Sequence, residues 1–301
     1  MAIAKSVAGV CVARDVIDLI PFVCGHYLRV GFGHIKFIDD GSSDGTFEFL
    51  RHIAKRTNRI SVRQIICQAD QQPLHMTEAA NELIRNGYSI IVPFDADEIW
   101  NVKGSELEAN YTDMSEVVFS GRWVNFVQQR SCCFPRPFGL LCMKYRAPSL
   151  RNANMATVTT YSEAFVCYHE VKIACKTRGE ITLGRGQHTV VGGPKQIDRR
   201  PMEIFHLPLR YRSEIVKRGL NYEPRRSAIR QRPGTMWQST FHRKIVLDGS
   251  VDDEWAANSA NAEGCLDLKG GPLPLEPDYR LRALLLRAAA YLYVRYRIIA
   301  C

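Results

Sequence analysis

The chain has 301 residues, a formal net charge of +9 at pH 7, 46% hydrophobic residues and 24% charged residues. These values are ordinary for a globular protein with a substantial core, in one large domain or two smaller ones. The basic charge alone does not distinguish nucleic acid, anionic lipid and phosphorylated substrates as partners. No helix-turn-helix, zinc-finger or RNA-binding pattern accompanies the arginine clusters, so we expect no nucleic-acid partner.

The ten cysteines are scattered, mostly through apolar segments. They show neither a paired C-x-x-C spacing for zinc nor the framework of a small disulfide-rich domain, so we expect reduced thiols. The first residues lead into a strand-like run without the apolar core and cleavage site of a signal peptide. No stretch is long and uncharged enough to span a bilayer. A cytoplasmic location is therefore expected, with association with the cytoplasmic face of a membrane as an alternative.

In chain order, short apolar runs and helical spacings predict an alternation of strands and helices up to about residue 94. The predicted strands cover residues 6–13, 35–38, 60–66 and 88–94, and the predicted helices cover the stretch from Asp15 to the break at 31–33, 46–55 and 77–86. This alternation favours an α/β fold, with a mostly parallel, Rossmann-like sheet and helices on both faces.

Beyond residue 100 the alternation stops, which predicts a mixed acceptor-side region. We expect strands at 117–126, 164–168, 171–175 and 204–207, helices at 213–219 and 278–299, an irregular segment at 128–148, turns at 184–188 and loose packing over 234–275. The predicted domains are 1–220, with a nucleotide-binding half at 1–100 and an acceptor half at 101–220, and a C-terminal extension at 221–301.

An acidic motif, Asp95-Ala96-Asp97-Glu98, directly follows the apolar run that ends at Phe94. If the extended geometry persists, Asp95 and Asp97 project to the same side. Carboxylates in this arrangement suit Mg²⁺ or Mn²⁺, whose shells are commonly completed by water and substrate phosphates. An acidic turn that merely ends a strand is the alternative.

A second acidic strand end precedes it, in Asp39-Asp40-Gly41-Ser42-Ser43-Asp44-Gly45-Thr46. Asp44 is suited to cap the following helix, which explains one of the acids structurally. Asp39 and Asp40 are left to accept hydrogen bonds from a nucleobase or a ribose. Because ligands bind at the carboxyl ends of strands in open α/β sheets, the two motifs together predict a metal–diphosphate site.

These motifs, in this order and with the segment at 26–31, resemble the family 2 glycosyltransferases, which have a GT-A fold. The resemblance covers residues 6–127 and, more loosely, residues 184–218. It implies a nucleotide-diphosphate-sugar donor, with Asp40 against the base, Asp95 near the ribose or sugar, and Asp97 on a divalent metal. The family usually has an Asn-Glu pair after the first strand, where this chain has Arg14-Asp15; Asp15 is expected to replace the acid in part.

The resemblance also implies a C-terminal histidine that ligates the metal or contacts the diphosphate. His206 is the better match and His188 the other candidate, although a lone histidine at a strand end is often structural. Arg210 and Arg212 could clamp phosphate oxygens, with a solvated basic turn as the alternative.

An inverting transfer requires a carboxylate base. The candidates are Glu163, Glu170 and Glu180, of which Glu163 is chosen for the catalytic set. The C-terminal basic helix is expected to pack on the core and expose its arginines. A peripheral contact with anionic lipid is the second interpretation.

The predicted function is a metal-dependent transfer of a sugar, with UDP as the commonest nucleotide, to a saccharide or lipid-linked acceptor in surface polysaccharide or lipopolysaccharide synthesis. A catalytically silent nucleotide-sugar-binding protein is one alternative. A nucleotidyl- or phosphoryl-transfer enzyme is another, but the chain lacks the phosphate loop G-x-x-x-x-G-K-[ST] expected of a P-loop enzyme.

Overall fold

A computed structural model describes residues 3–66, 71–148, 165–167, 171–220, 237–268 and 270–299. Two compact units divide the chain, unit 1 with residues 1–123, 170–205 and 284–301, and unit 2 with residues 124–169 and 206–283. The predicted domain boundaries remain predictions.

The strands and helices up to residue 95 alternate as the sequence predicts, and β5, α4 and β6 follow them. They are β1 (Ala4–Ala13), α1 (Ile20–Arg29), β2 (Phe32–Asp40), α2 (Thr46–Ala54), β3 (Ile60–Ile65), α3 (Gln72–Arg85), β4 (Ile90–Asp95), β5 (Glu98–Trp100), α4 (Gly104–Asn110) and β6 (Val117–Val127).

Short strands and later helices follow in the second half of the chain. They are β7 (Tyr145–Arg146), β8 (Val171–Lys176), β9 (Thr182–Leu183), β10 (Val190–Val191), β11 (Ile197–His206), α5 (Arg212–Leu220), α6 (Trp237–Leu247), α7 (Val251–Ala257), β12 (Cys265–Leu268), β13 (Gly271–Pro274), β14 (Glu276–Pro277) and α8 (Arg280–Tyr296). Short 3₁₀ helices cover Phe138–Cys142, Phe165–Cys167 and Arg185–Gln187.

The central sheet of unit 1 has the strand order β6-β8-β4-β1-β2-β3. Strands β4, β1, β2 and β3 are parallel, and Cys11 of β1 lies opposite both Phe37 of β2 and Phe94 of β4. Strand β8 is antiparallel to both of its neighbours, β4 and β6. The parallel set matches the βαβ units predicted for the first 94 residues.

Alternate residues of β1 face opposite sides of this sheet, as strand geometry requires. Ala8 and Val10 pack with Met76 and Leu83 of α3 in a buried cluster. A side chain at Gly9 would instead project to within 2.9 Å of the Phe94 ring on the other face.

Helix α1 covers that second face. The ring of Tyr27 in α1 lies 4.4 Å from the Phe94 ring and 4.8 Å from the Phe32 ring, centroid to centroid. Helices therefore lie on both faces of the sheet, and the predicted α/β fold class is confirmed.

Helix α8 packs closely on α1 through Gly25. A Cβ atom at this position would lie 2.4 Å from the carbonyl oxygen of Ala288 and 3.1 Å from Leu292. Glycine thus permits the two backbones to approach, because any larger residue would overlap with main-chain atoms of α8. The prediction of a core-packing C-terminal helix is confirmed, since its apolar stripe is buried: Leu281, Leu284, Leu285, Ala288 and Leu292.

The described part of unit 2 contains two apolar cores. One contains Leu209, Ile215, Ile245, Val251 and Trp255, which come from α5 to α7 and the chain before α5. The other contains residues such as Val127, Ala147, Val166 and Leu266.

Two sequence predictions are wrong in the described part of unit 2. Residues 237–257 form α6 and α7, so the region 234–275 is not loosely packed. The strand predicted over 164–168 is instead a 3₁₀ helix over Phe165–Cys167. None of the described helices has the length and apolar composition that a bilayer span requires. The described cysteines are all free thiols.

Candidate active site at the carboxyl ends of β2 and β4

The two acidic motifs meet at one edge of the unit 1 sheet. Strand β1 lies between their strands, with Ala13 opposite Asp39 of β2 and Val12 opposite Asp95 of β4. Neighbouring strands are spaced about 4.8 Å apart, which sets the backbones at Asp39 and Asp95 roughly 10 Å apart. A ligand that lies across the end of β1 could therefore reach both groups of acids.

The chain turns immediately after Asp95. Strand β4 ends there, Ala96 and Asp97 form the turn, and β5 begins at Glu98. The expectation that Asp95 and Asp97 share one strand face is therefore wrong, because the extended geometry does not persist. Asp97 nevertheless stays near the other acids, since its charge adds to that of Asp95 in raising the pKa of Glu98, after the larger effect of burial.

A buried lysine, which the sequence analysis missed, holds this acidic turn. The Nζ atom of Lys172 lies 2.8 Å from Asp95 Oδ2, 2.8 Å from Glu98 Oε1 and 3.0 Å from Gln187 Oε1. Its side chain is only 2% exposed. Because β8 is antiparallel to β4, its first residues lie beside the carboxyl end of β4, and this pairing brings Lys172 to the acids.

The ionisation of this cluster reflects both burial and charge pairing. Burial alone would lower the pKa of Lys172, but the carboxylates of Asp95 and Glu98 outweigh it, and the pKa lies above its ordinary value. Burial raises the pKa of Glu98 to about 8, although the Lys172 ammonium opposes that increase. The lysine thus remains a fixed positive charge beneath the acidic turn.

Further hydrogen bonds orient both carboxylates. Glu98 Oε1 also accepts from Trp123 Nε1 at 3.0 Å, and Glu98 Oε2 accepts from the Asp95 backbone N–H at 3.2 Å. The other oxygen of Asp95, Oδ1, accepts from Gln72 Nε2 at 3.3 Å. Asp95 is the more open of the two, with 30% of its side chain exposed against 1% for Glu98.

At the end of β2, Asp39 is fully buried. Its Oδ2 accepts from the Ser42 backbone N–H at 3.1 Å and from Gln64 Nε2 at 3.0 Å. Its Oδ1 is buried without a hydrogen-bond partner in the described part of the chain. One carboxylate oxygen of Asp39 therefore holds the loop after β2, and the other remains an unused hydrogen-bond acceptor.

Asp40 forms an ion pair with Arg14, one of the two residues at which this chain differs from the Asn-Glu pair usual in family 2 glycosyltransferases. The Nη1 atom of Arg14 lies 3.5 Å from Asp40 Oδ2, and the Asp40 side chain is 6% exposed. The arginine therefore brings a positive charge to the position where the resemblance implies a base-binding acid.

Asp15 ties the end of β1 to the loop between β2 and α2. Its Oδ1 accepts from the backbone N–H of Ser43 at 2.7 Å, and its own N–H donates to Ser42 Oγ at 2.9 Å. Asp15 takes a positive φ of 51°, a left-handed conformation that Asp tolerates better than most residues. These contacts assign Asp15 a loop-holding role, and its contact with a nucleotide remains a prediction.

Asp44 holds the same loop but is not the N-cap residue that the sequence analysis expected. The residue before α2 is Gly45, with a φ of 96°. Asp44 Oδ1 accepts from the backbone N–H of Thr46 at 3.0 Å, and its Oδ2 accepts from that of Ile17 at 3.1 Å. The left-handed conformation at Gly45 favours glycine.

Of the remaining predicted residues, His206, Arg210 and Arg212 belong to unit 2. His206 is buried, and its Nδ1 lies 2.7 Å from Asn125 Oδ1. Because Asn125 Nδ2 donates to the Val166 carbonyl at 2.8 Å, its Oδ1 is the acceptor, so Nδ1 of neutral His206 carries the proton and Nε2 does not. This tautomer is the one in which Nε2 can ligate a metal.

The two arginines differ in their surroundings. Arg210 is buried and forms an ion pair with Glu214. Arg212 is exposed and pairs with the exposed Asp252 at 2.5 Å. The guanidinium of Arg210 thus already has an internal carboxylate partner, and a phosphate clamp by either arginine remains a prediction.

The described part of the structure does not single out a catalytic base among the three candidate glutamates. Glu163 and Glu170 lie outside the described residues. Glu180 is exposed and pairs with Arg85 at 2.7 Å. His188, the second histidine candidate, contacts the carbonyl of Val171 at 2.8 Å and so lies next to the strand that carries Lys172.

The carboxylate oxygens of the acidic turn suit a metal ion whose remaining ligands come from the substrate. Among the described residues, no group of three or more His, Cys, Asp or Glu side chains forms a ready-made metal cage. The acidic turn offers the hard oxygens of Asp95 and Asp97, and Mg²⁺ or Mn²⁺ commonly binds through one or two carboxylates plus phosphates and water. The residues therefore fit a cation that arrives with a diphosphate.

No family model and no curated protein matches the chain. Among solved structures, the chain is similar to the mannosyltransferase PcManGT from Pyrobaculum calidifontis in complex with GDP-mannose and Mn²⁺. The identity is 14% and the TM-score 0.38, over 95% of this chain and 86% of that chain. A likeness at this level is too weak to assign a function.

Proposed function

We propose that this protein is a glycosyltransferase that uses a nucleotide-diphosphate sugar and a divalent cation. The observation that supports it is the pair of acidic strand ends, Asp39-Asp40 on β2 and Asp95 on β4, on either side of β1. Ligands of open α/β sheets bind in the crevice outside the carboxyl ends of the strands. Acids on both sides of that crevice suit a ligand with hydroxyl and amide donors and a metal-bound diphosphate.

In this proposal each acid has a separate role. Asp39 and Asp40 accept hydrogen bonds from the nucleoside, and the half-exposed carboxylate of Asp95 accepts them from a ribose or sugar hydroxyl. Asp97 holds the cation, Mn²⁺ or Mg²⁺, which when bound supplies charge neutralisation at the diphosphate leaving group.

Lys172 orients Asp95 for this role. Its ammonium group fixes Asp95 Oδ2 at 2.8 Å, so the carboxylate does not have to reorganise when a donor binds. Fixed charges of this kind account for much of the rate acceleration in many enzymes. Transfer to a saccharide or lipid-linked acceptor, with Glu163 as the base and inversion at the sugar, remains part of the proposal, as do Arg210, Arg212 and His206 at the diphosphate.

A second candidate function is a nucleotide-sugar-binding protein without turnover. The Arg14–Asp40 ion pair favours it, because the pair engages the acid expected to contact the base. It differs from the first candidate in one measurable property, the release of nucleoside diphosphate from the donor.

Calorimetric titration of UDP and of GDP, each with and without Mn²⁺, tests the proposal, followed by assays of donor hydrolysis. Mn²⁺-dependent binding with hydrolysis supports the glycosyltransferase. Binding without hydrolysis of any donor in a panel supports the silent binder. Absence of nucleoside diphosphate binding in the presence of Mn²⁺ contradicts both.

A further inference from the structure

Helix α8 has a second apolar stripe, on the side opposite to the one that packs on α1. Leu286 is 49% exposed, Tyr293 52% and Val294 71%. With the exposed Ala290, these residues follow the spacing i, i+4, i+7 and i+8, so they lie on one side of the helix. Ile299, just beyond the helix, is 65% exposed. An exposed stripe of this kind is unusual on a globular protein and indicates an interaction surface.

Positive charge borders this stripe. Arg287, Arg295 and Arg297 are exposed, and the sequence has no Asp or Glu from residue 279 to its last residue. The structure gives Arg287 and Arg295 no ion pair with any described carboxylate. The surface formed by residues 286–299, called the α8 surface here, is therefore both apolar and uniformly basic.

Other elements of unit 1 extend the positive charge. Arg56, after α2, donates a hydrogen bond to the carbonyl of Tyr296 at 2.6 Å, which brings the exposed end of α2, including Lys55, next to the α8 surface.

Arg29 of α1 lies close to Arg287. Burial lowers the pKa of Arg29, and the neighbouring charge of Arg287 lowers it further. Its Nε is buried without a hydrogen-bond partner among the described residues. The positive charges of Arg29 and Arg287 therefore add to the same local potential, which attracts anions.

The chemistry of the α8 surface favours one class of partner. Apolar side chains that insert among acyl chains, flanked by arginines that meet phosphate headgroups, are characteristic of helices in the plane of an anionic bilayer. Two copies of the surface would bring like charges together, which disfavours self-association. Nucleic acid would leave the exposed Leu286 and Val294 without apolar contacts.

We propose that the α8 surface docks the protein on anionic membranes, with Leu286, Tyr293 and Val294 inserted at the interface and arginines on the lipid phosphates. This proposal does not depend on the proposed transferase activity. It places α8 in contact with the membrane on one side and with α1 on the other, so that the lipid surface contacts unit 1 through a helix fixed to its core.

Co-sedimentation with vesicles tests the proposal, with neutral phosphatidylcholine compared with phosphatidylcholine containing about 30% phosphatidylglycerol. We expect binding to the anionic vesicles only, and weaker binding as salt increases. Each arginine near an anionic surface contributes about fivefold to the partition constant, so R287Q/R295Q should bind roughly 25-fold more weakly. The matched control R122Q/R178Q removes two exposed arginines outside α8 and should bind like the wild type.

The apolar contribution is tested separately with L286S/V294S, which keeps all charges. We expect loss of most binding at moderate salt, with an unchanged thermal unfolding midpoint because both side chains are exposed. Equal binding to neutral and anionic vesicles, no binding to either, or wild-type binding by both double variants would overturn the proposal. The proposal would also be overturned if light scattering showed a dimer that either R287Q/R295Q or L286S/V294S converted to a monomer. Asp97→Asn should bind vesicles normally, which separates this result from the fate of the proposed activity.

Discussion

The ammonium group of Lys172 lies 2.8 Å from Asp95 Oδ2 and, at the same distance, from Glu98 Oε1, with its side chain almost completely buried. A single cation therefore stabilises two acids of one turn. Removing it would leave the Asp95 carboxylate without its ion-pair partner and would raise the pKa of the fully buried Glu98 further above its ordinary value.

Lys172→Met should lower the free energy of unfolding by about 3–5 kcal/mol, because the Asp95 carboxylate loses its ion-pair partner and the buried Glu98 loses a hydrogen-bond donor. Urea denaturation measures this change. In the double variant Lys172→Met/Glu98→Gln the loss should be smaller than the sum of the two single losses, since the buried acid is removed together with its partner. Additive losses would show that the two residues do not interact energetically.

Asp97→Asn should weaken the Mn²⁺-dependent part of nucleoside diphosphate binding roughly 10- to 100-fold, since a carboxamide is a poorer ligand for a hard cation than a carboxylate. Isothermal titration calorimetry with and without Mn²⁺ measures it. Asp113→Asn, which changes an exposed acid of the same unit, is the matched control and should bind like the wild type. Unchanged Mn²⁺ dependence in Asp97→Asn would remove Asp97 from the metal site.

Asp15→Ala should lower the free energy of unfolding by about 1.5–3 kcal/mol, because the backbone N–H of Ser43 loses a charged acceptor at 2.7 Å. Ser43→Ala is the control. It loses only the longer 3.2 Å contact from Ser43 Oγ and keeps the backbone hydrogen bond, so it should cost less than about 1 kcal/mol. If Asp15→Ala is as stable as the wild type but binds nucleotide less well, the role of Asp15 is in binding rather than in holding the loop.

Gly25→Ala should destabilise the protein by at least about 1–3 kcal/mol, since the added methyl group would overlap with the backbone of α8 at Ala288. Gly179→Ala is the matched control, because a Cβ atom there has no neighbour within 4 Å. It should change the free energy of unfolding by less than about 0.5 kcal/mol. Equal effects of the two substitutions would contradict the close contact between α1 and α8.

His26 should make the protein sensitive to acid. Burial lowers its pKa to about 3, and its Nε2 lies 3.0 Å from the Trp100 carbonyl. Between about pH 6.5 and 3 the unfolded chain binds a proton on this histidine that the folded protein does not bind. The free energy of unfolding therefore falls as the pH is lowered through that range, by at most about 1.4 kcal/mol per pH unit.

The variant His26→Gln keeps a donor for the carbonyl but does not titrate. The number of protons taken up on unfolding in that range should be smaller by up to one, so the free energy of unfolding of this variant should depend less steeply on pH. The exposed control His52→Gln should not differ from the wild type. Urea denaturation at several pH values measures both slopes. Identical slopes for His26→Gln and the wild type would show that this histidine does not contribute to acid sensitivity.

The alternation of strands and helices over the first 95 residues could be predicted because each element carries its own local pattern. Strands β1 and β4 are short apolar runs, and the acids Asp39, Asp40 and Asp95 are the last residues of β2 and β4. The arrival of Asp39 and Asp95 at one edge then follows from parallel pairing. The cluster beneath the acids could not be predicted in this way, because Lys172 is 77 residues from Asp95 and joins it only through the pairing of β8 with β4.

The wrongly predicted regions show where residue composition and spacing fail to predict secondary structure. Residues 237–257 contain many polar side chains, but Ile245, Val251 and Trp255 lie on the buried sides of α6 and α7. The turn at Ala96 and Asp97 has no glycine or proline to indicate where β4 ends. A period of two is therefore a reliable guide only within a strand whose ends are already known.

The discontinuity of unit 1 has a consequence for biosynthesis. The surface of α1 around Gly25 is covered by residues near Ala288, so this part of the core is complete only after residue 288 has been synthesised. Until then, a nascent chain that has already formed β1 to β4 presents an apolar patch to the cell. Chaperone demand should therefore persist until α8 has been synthesised, and a stop codon before residue 288 should leave this patch uncovered.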